Sequence, residues 1–364
     1  MRVIVIGGGI IGCAVAYYLQ KAGASVVLLE RGGIGGEASG AAAGMLIAPA
    51  TAAAPGPFRD LCLASLDIYP QTIEEVQAQS GIDVECLKSG ILVLAETPEM
   101  VRPLQAHARR QNESGRRTEW VEGEALQMLE PALAGHVLGA AYSPEEVHVN
   151  PGLMTQAFAR SARRLGADLR TGQALTGFLG RGLRLEGVRT NAGDMMADAV
   201  VLATGPWTGG LGVRLGAGFR TPPLRGQMIA YRSTAVRHAV WGDEGYLVPK
   251  ARGFLFAGAT VEDVGFRNRT TARGIAGLRR MASRLVPGLR HAEVASTWAG
   301  LRPGSPDGLP IIGRLPGREN VYVAAGHFRN GILLAPITGK LVSELVLEGR
   351  SDPLLAAFGP ERFG

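Results

Sequence analysis

A glycine-rich segment near the N-terminus is the first part of the sequence suited to chemistry. Residues 7–12 read GGGIIG. In such a segment Gly7 permits a tight turn, Gly9 lets the backbone approach a pyrophosphate, and Gly12 lets a helix pack closely on a strand. Glu30 follows Gly12 by 18 residues, near the spacing of about 20 for a carboxylate that binds ribose hydroxyls. The pattern therefore predicts a dinucleotide site with its phosphates at a helix N-terminus.

A second segment, residues 31–58, is rich in glycine, alanine and proline. Long loops of this kind are usually either functional or disordered. Small residues would let the backbone lie along a pyrophosphate and a flat ring, whereas the composition alone also fits a flexible linker. The residues themselves leave both interpretations open.

The elements around these segments alternate in a way that is typical of α/β folds. Residues 2–6 and 25–30 are apolar runs of strand type, and residues 13–21 between them predict a helix. Strand, glycine turn, helix and strand within 30 residues make a βαβ unit. Further helices are predicted at 59–79, 151–165 (with Asn150 as N-cap) and 332–347, and strands at 90–95, 137–149, 168 onward, 199–203, several between 224 and 262, and 321–325.

The α/β patterns lie at the two ends of the chain, and antiparallel patterns lie between them. We therefore expect an α/β Rossmann-like nucleotide-binding domain plus an α+β substrate domain with a largely antiparallel sheet. The first is assigned to residues 1–80, 150–220 and 300–364, and the second to 81–149 and 221–299.

Composition narrows the class of protein. The net charge is +6, but the paired arginines are scattered along the chain, which favours solvated surface over a nucleic-acid site. Three cysteines without a CxxC pair and six dispersed histidines predict neither a disulfide framework nor a metal site. The apolar stretch Ala41–Ala54 is too short and too interrupted to span a membrane. With a strand pattern starting at Val3, we expect a reduced, cytoplasmic protein without a signal peptide.

Five motifs together resemble the glycine oxidase branch of the D-amino-acid oxidase superfamily, which includes enzymes associated with thiamine biosynthesis. The resemblance covers nearly the whole chain in order and implies a Rossmann-like FAD-binding domain with a largely antiparallel sheet domain over the flavin. The motifs are GGGIIG (7–12), GGEASGAAAGM (35–45), ATGPW (203–207), WAGLRPGSPDGLPIIGR (298–314) and AAGHFRNGILLAPITGK (324–340).

The resemblance implies FAD as cofactor and assigns its contacts residue by residue. A non-covalent flavin is expected, since Cys13, Cys62 and Cys86 all precede the C-terminal segment where related sarcosine oxidases attach theirs. Implied FAD contacts are Gly7, Gly9, Ile10, Ile11 and Gly12 (pyrophosphate); Glu30 and Arg31 (adenosine); Ala38 and Ser39 (phosphate or ribitol); Ala43, Gly44 and Met45 (isoalloxazine); Leu175 (adenine); Thr204 and Gly205; and His327, Phe328, Arg329, Asn330, Gly331, Ile332 and Leu333 (flavin pyrimidine).

On the substrate side, the resemblance implies three active-site residues. Arg302 matches the family arginine that binds a carboxylate, and a guanidinium suits that role because it offers a bidentate fork. Tyr246 matches a tyrosine that hydrogen-bonds the substrate, and Arg329 a second arginine near the site. Two positions depart from the family pattern: Val261 stands where methionine is frequent, and Glu244 where histidine is frequent. Both are expected to line or approach the substrate pocket.

The implied reaction is oxidative deamination of glycine, sarcosine or another small amino acid or amine. Dioxygen is the electron acceptor, and a 2-oxo acid, ammonia or amine, and hydrogen peroxide are the products. Two alternatives stay open: a dehydrogenase for D-amino acids or 2-hydroxy acids with a quinone acceptor, and a non-catalytic flavin-binding subunit of a larger oxidase. The sequence also leaves open whether the protein is a homo-oligomer.

Overall fold

The computed structural model describes residues 1–47, 55–180 and 182–364. In this part of the chain the α-helices are α1 Ile10–Lys21, α2 Ala38–Ala41, α3 Pro57–Ser80, α4 Pro98–Glu113, α5 Gly123–Leu129, α6 Pro151–Arg164, α7 Thr208–Arg214, α8 Ala272–Leu285 and α9 Gly331–Glu348. The strands are β1 Arg2–Ile6, β2 Ser25–Glu30, β3 Met45–Leu46, β4 Ile91–Ala95, β5 Glu119–Val121, β6 Gly139–Ser143, β7 Val147–His148, β8 Asp168–Thr171, β9 Leu175–Leu179, β10 Gly187–Thr190, β11 Gly193–Met196, β12 Ala199–Leu202, β13 Pro223–Arg232, β14 Ala239–Trp241, β15 Tyr246–Lys250, β16 Phe254–Gly258, β17 Glu262–Asp263, β18 Val294–Pro303, β19 Ile311–Arg314 and β20 Val321–Ala325.

A mostly parallel sheet with β1 inside it carries the N-terminal βαβ unit. Over the described residues its strand order is β19-β20-β12-β1-β2-β8, and only β19 runs antiparallel to its neighbour. Side chains of β1 alternate between two cores: Val3 and Val5 pack on the side of α1, α6 and α9, whereas Ile4 and Ile6 pack toward β10 and β11. A parallel sheet must be covered on both faces in this way, which explains the unbroken apolar run in the sequence.

The second large sheet is mixed and largely antiparallel. In the described residues its order is β17-β13-β16-β15-β14-β4-β6-β5, with β18 also paired to β13, and only the pair β14–β4 is parallel. Helix α8 buries Leu278, Met281 and Leu285 against this sheet. The fold class expected from the sequence is confirmed.

Most elements lie where the sequence predicts them. Strand β20 has the predicted bounds, and α6 begins after Asn150, whose Oδ1 accepts a hydrogen bond from the Leu153 amide at 3.2 Å. The strand predicted at 137–149 is wrong in part, since the chain turns at Pro144 and divides into β6 and β7, which pair with different partners. Proline lacks the amide proton that an unbroken ladder requires.

The strands fall largely within the two sets of segments assigned from the sequence. Strand β18 is the exception, because it crosses the assigned boundary at residue 300 while pairing along its length with β13. The domain boundaries stay a prediction. Residues 48–54, which include part of the loop 31–58 and of the apolar stretch Ala41–Ala54, lie outside the described residues. No helix in the described ranges has the length and apolar character needed to cross a membrane.

Candidate active site

The turn between β1 and α1 is built for close backbone contact. A Cβ atom at Gly12 would overlap the carbonyl oxygen of Gly7, so any larger residue would push the helix away from the strand. Helix α1 then begins at Ile10, and its amide donates to Ser39 Oγ at 2.9 Å. Ser39, from the second glycine-rich segment, is thus brought to the helix N-terminus where the phosphates of a dinucleotide are expected.

Glu30 ends strand β2 directly beside this turn. Its Oε2 accepts a hydrogen bond from the Gly8 amide at 2.7 Å, and its Oε1 accepts one from the Gly32 amide at 2.7 Å. Each carboxylate oxygen has a second lone pair that can accept from a ribose hydroxyl. Glu30 therefore braces the turn in addition to facing the cavity, a role that its spacing from Gly12 did not predict.

A cavity of about 440 Å³ runs along the ends of the parallel strands. It joins the N-terminal turn to the start of α9, which the sequence separates by about 320 residues. Sixteen of the residues assigned to FAD line it: Gly7, Gly9, Ile10, Ile11, Glu30, Arg31, Ala38, Ser39, Leu175, Thr204, Gly205, His327, Phe328, Arg329, Gly331 and Ile332.

The chemistry of this lining fits FAD. His327 is only 3% exposed, and burial lowers the pKa of its imidazole to about 3, so the ring is neutral. Its Nε2 lies 3.1 Å from Thr338 Oγ1, while its buried Nδ1 has no hydrogen-bond partner among the described residues. Buried polar atoms in folded proteins almost always have a hydrogen-bond partner. A ligand bound in this cavity would supply the partner that Nδ1 lacks.

A smaller cavity of about 160 Å³ lies between the antiparallel sheet and the segments 38–47 and 328–332. It shares Ala38, Ala42, Phe328, Arg329 and Ile332 with the larger cavity, so a ligand can extend from one into the other. Four further residues assigned to the flavin line the smaller cavity, namely Ala43, Gly44, Met45 and Asn330. This arrangement suits a flat ring lying across the junction, with a second molecule against its face.

Two of the assigned FAD residues line neither cavity in the described part of the chain. Gly12 acts through helix packing, as described above. Leu333 is 1% exposed within α9, and its carbonyl accepts a hydrogen bond from Ser65 Oγ at 2.6 Å. Leu333 is therefore a core residue of α9, and its assignment as a flavin contact stays a prediction.

Arg302, on β18, points into the smaller cavity. Its Nη1 donates to the Thr260 carbonyl at 2.9 Å, and its guanidinium lies over Gly226 of β13, where any Cβ would overlap it. Burial lowers the pKa of Arg302, Tyr246 opposes the shift and Arg329 adds to it; arginine nevertheless stays charged in proteins. Among the described residues no carboxylate forms an ion pair with Arg302, so its charge is left for a ligand.

Tyr246 and Arg329 complete the polar lining near Arg302. The Tyr246 hydroxyl lies 3.4 Å from the Met228 sulfur. Burial raises the pKa of Tyr246, against the opposing effect of Arg302 and Arg329, so the phenol keeps its proton and can donate a hydrogen bond. Arg329 is exposed at the opening, with its guanidinium 5.3 Å from the Phe328 ring. The structure therefore brings together all three residues assigned to the substrate side.

The two positions that depart from the family pattern lie in different places. Glu244 lines the smaller cavity at its rim, with 62% of its side chain exposed and 3.5 Å from Arg284. Val261 is 45% exposed and lines neither cavity in the described residues, so it approaches the pocket next to Thr260 without lining it, and its role in substrate choice stays a prediction. The chain leaves β16 at Gly258 and reaches the edge strand β17 at residue 262, which turns Val261 outward; Ala259 lines the pocket instead.

Several residues of the site were not predicted from the sequence. Gly226 and Met228 lie on β13 and reach the cavity only through its pairing with β16 and β18. Trp207 lines the larger cavity and stacks on Arg31, whose guanidinium is 3.9 Å from its ring centroid. The motif ATGPW contains this tryptophan, and its place directly after a buried strand end was the available signal.

The cavities and the sheets define a flavin-dependent oxidoreductase. A family model described as FAD dependent oxidoreductase (DAO) matches residues 2–345, and the chain belongs to this family, whose cofactor is FAD. It is 37% identical to a glycine oxidase of Bacillus licheniformis, over 94% of this chain and 92% of the relative. It is 37% identical to the glycine oxidase of Geobacillus kaustophilus (strain HTA426), over 99% of this chain and 96% of the relative.

A solved structure is similar along almost the entire fold. The crystal structure of glycine oxidase from Geobacillus kaustophilus superposes with a TM-score of 0.94 at 35% identity, covering 98% of each chain. These similarities confirm the resemblance that the five sequence motifs indicated.

Proposed function

We propose that this protein catalyses the FAD-dependent oxidative deamination of glycine, sarcosine or another small amino acid or amine, with dioxygen as acceptor. The observation that carries the proposal is the guanidinium of Arg302, which forms no ion pair among the described residues and lies in a cavity of about 160 Å³ that opens onto the larger cavity. A partly buried cation with no carboxylate partner among the described residues favours an anionic ligand. The small volume favours a short amino acid, as do the glycine oxidases to which the chain is similar.

The residues of the chain bind and orient the substrate. Arg302 offers its free N–H groups to the carboxylate in a bidentate fork, and the Tyr246 hydroxyl donates a further hydrogen bond. Met228 and Ala259 form apolar walls that restrict the Cα substituent and exclude water. The residues that line the larger cavity would hold FAD, which would supply the redox chemistry as acceptor of the substrate hydride and donor of electrons to dioxygen.

Proton transfer does not require a buried base. The carboxylates lining the smaller cavity, Asp243 and Glu244, are exposed at its rim. The ammonium group of a small amino acid can lose its proton to water at this rim, so the site can select the neutral amine without a dedicated base. Orientation over the flavin then provides most of the rate enhancement, and the imine product hydrolyses to a 2-oxo acid and ammonia or amine.

We also propose that the flavin is held without a covalent bond and that the protein acts in the cytoplasm. Cys13 and Cys62 are buried in the core, Cys86 is exposed, and none of them lines either cavity of the described residues.

The direct test is turnover by the purified, FAD-loaded protein. The substrates to compare are glycine, sarcosine and D-alanine. We expect at least one of them to yield hydrogen peroxide and a 2-oxo acid in equal amounts. We also expect free FAD to leave the chain on denaturation. Turnover only with a quinone acceptor would instead identify a dehydrogenase. Flavin binding without turnover of any amine would identify a non-catalytic subunit.

Substrate size should respond to Ala259 and not to Val261. Ala259→Met places a longer side chain in the smaller cavity, so kcat/KM for N-ethylglycine should fall relative to glycine by about 10-fold or more. Val261→Met is the matched control because residue 261 is exposed, and its ratio of kcat/KM values should stay at the wild-type level. A changed ratio in Val261→Met, with none in Ala259→Met, would reverse the assignment of these two residues.

A further inference from the structure

A partly buried hydrogen-bond network lies behind Arg302, on the opposite side of the antiparallel sheet. Its members are Arg225, Gln227, Thr260, Glu262 and Thr271. Arg225 is 4% exposed and Gln227 is fully buried, whereas 27% of the Glu262 side chain is exposed, so the network extends from the interior to the surface. Buried polar networks of this kind hold their members in one arrangement when the hydrogen bonds are made.

The network and the substrate cavity occupy opposite faces of β13. Gly226 and Met228 face the cavity together with Arg302. Successive side chains of a strand point to opposite faces, so Arg225 and Gln227 point to the rear. The two faces are therefore separated by one layer of backbone, and a group at the sheet edge is needed to connect them.

Thr260 is that connection. Its carbonyl oxygen accepts the hydrogen bond from Arg302 Nη1 at 2.9 Å on the cavity side. Its hydroxyl belongs to the network behind the sheet, since Oγ1 donates to Glu262 Oε1 at 2.6 Å and accepts from the backbone amide of Gln227 at 2.9 Å. The hydroxyl of Thr260 is thus held on one face of the sheet, and this fixes the position of the Thr260 carbonyl that orients the Arg302 guanidinium on the other face.

Glu262 anchors the rear side. It accepts hydrogen bonds from Thr260, from Gln227 Nε2 at 2.6 Å and from Arg225, with which it forms an ion pair. Burial alone would raise the pKa of this carboxyl, but the hydrogen bonds from Arg225, Thr260 and Gln227 outweigh it and lower the pKa. The carboxylate is consequently a fixed anion that keeps the Thr260 hydroxyl turned to the rear.

The network is also tied to helix α8. Gln227 Oε1 accepts from the Thr271 amide at 2.7 Å, and Thr271 caps the helix through its side chain, which accepts from the Gly274 amide at 3.1 Å. The rear anchor is therefore held by strand β13 and by a helix N-terminus, both of which are rigid elements.

We propose that Thr260, held by Glu262 and Gln227, is a positioning residue for the carboxylate-binding guanidinium of Arg302. One N–H of Arg302 is used by the Thr260 carbonyl, which sets the plane of the guanidinium and leaves its remaining N–H groups directed at the substrate. The inference rests on the proposed role of Arg302 as the carboxylate ligand.

The test compares variants by their binding of acetate, a small carboxylate probe. Acetate binding to the FAD-loaded protein is followed by the change that it causes in the flavin absorption spectrum. In Thr260→Val, which removes only the hydroxyl from the network, the Kd for acetate should rise by about 3- to 10-fold, the usual effect of one hydrogen bond. Thr260→Ser keeps the hydroxyl and should restore the wild-type Kd to within about 2-fold.

Three further measurements separate positioning from a structural role. Thr190→Val is the matched control, because Thr190 Oγ1 hydrogen-bonds Gly193 in a hairpin of another sheet, and its acetate Kd should be unchanged. For glycine, KM should rise in Thr260→Val with a smaller change in kcat. Glu262→Gln tests the anchor independently and should weaken acetate binding in the same direction, which keeps the proposal testable if Thr260→Val does not fold.

The proposal is wrong if folded Thr260→Val and Glu262→Gln bind acetate as tightly as the wild type while Arg302→Ala does not. In that case the carboxylate role of Arg302 stands, and the network serves only the fold. Wild-type acetate affinity in Arg302→Ala would overturn the role of Arg302 itself, and the positioning proposal with it. The two failures are thereby distinguished by one set of binding curves.

Discussion

Replacing Arg302 by alanine is expected to lower kcat/KM for glycine by about 10²–10⁴-fold. The guanidinium has no carboxylate partner among the described residues and points into the smaller cavity. Its loss removes a charge-assisted, bidentate contact that a neutral side chain cannot replace. Steady-state kinetics with the FAD-loaded variant, after its FAD content has been matched to that of the wild type, measures the effect.

Arg302→Lys should be nearly as damaging, since an ammonium cannot reproduce the planar fork. A lysine also cannot hold the Thr260 carbonyl and a carboxylate in one plane. Arg189→Ala is a suitable control, because Arg189 forms an exposed ion pair with Asp194 in the hairpin β10–β11. It should leave kcat/KM unchanged.

Paired substrates reveal whether the loss concerns the carboxylate. Arg302→Ala should lose far more activity on amino acids than on simple amines that lack a carboxylate. Equal losses on both would mean that Arg302 supports the fold or the flavin. The carboxylate would then bind elsewhere, with Arg329 as the next residue to test.

The sequence predicted those parts of the site that depend on local backbone geometry. GGGIIG specifies its own turn, because Gly12 must pack against Gly7 within the same six residues. The start of α6 was predictable for the same reason, since an Asn150 side chain caps a helix that follows it directly. In each case the physical cause lies within a few residues of the motif, so the sequence displays it.

Contacts across the sheet were not predictable from the residues alone. Gly226 is required only because β18 places Arg302 over it, and the register that does so is visible only in the folded sheet. Val261 shows the same limit on prediction from sequence. It lies two residues from the pocket-lining Ala259, yet the path of the chain toward the sheet edge exposes it. The network behind Thr260 likewise joins strand β13, the start of β17 and the N-terminus of α8.

Glu30→Ala should weaken FAD retention by about 10- to 100-fold, the usual effect of losing a hydrogen bond to a charged group. The carboxylate lines the larger cavity at the end of β2, where ribose hydroxyls are expected. The Kd for FAD can be measured by titrating the apoprotein and following flavin fluorescence. Glu348→Ala is a control on an exposed ion pair with Arg350 and should bind FAD as the wild type does.

The second role of Glu30 makes the comparison with Glu30→Gln informative. Alanine removes both acceptors from the Gly8 and Gly32 amides, whereas glutamine keeps one carbonyl oxygen for this turn but lacks the charge. We therefore expect the thermal stability of the apoprotein to fall more in Glu30→Ala than in Glu30→Gln, while both variants lose FAD affinity. If Glu30→Ala folds and binds FAD as tightly as the wild type, the carboxylate does not contact the nucleotide, and the adenosine must be held by other residues of the cavity, with Arg31 and Trp207 at its rim as the first to test.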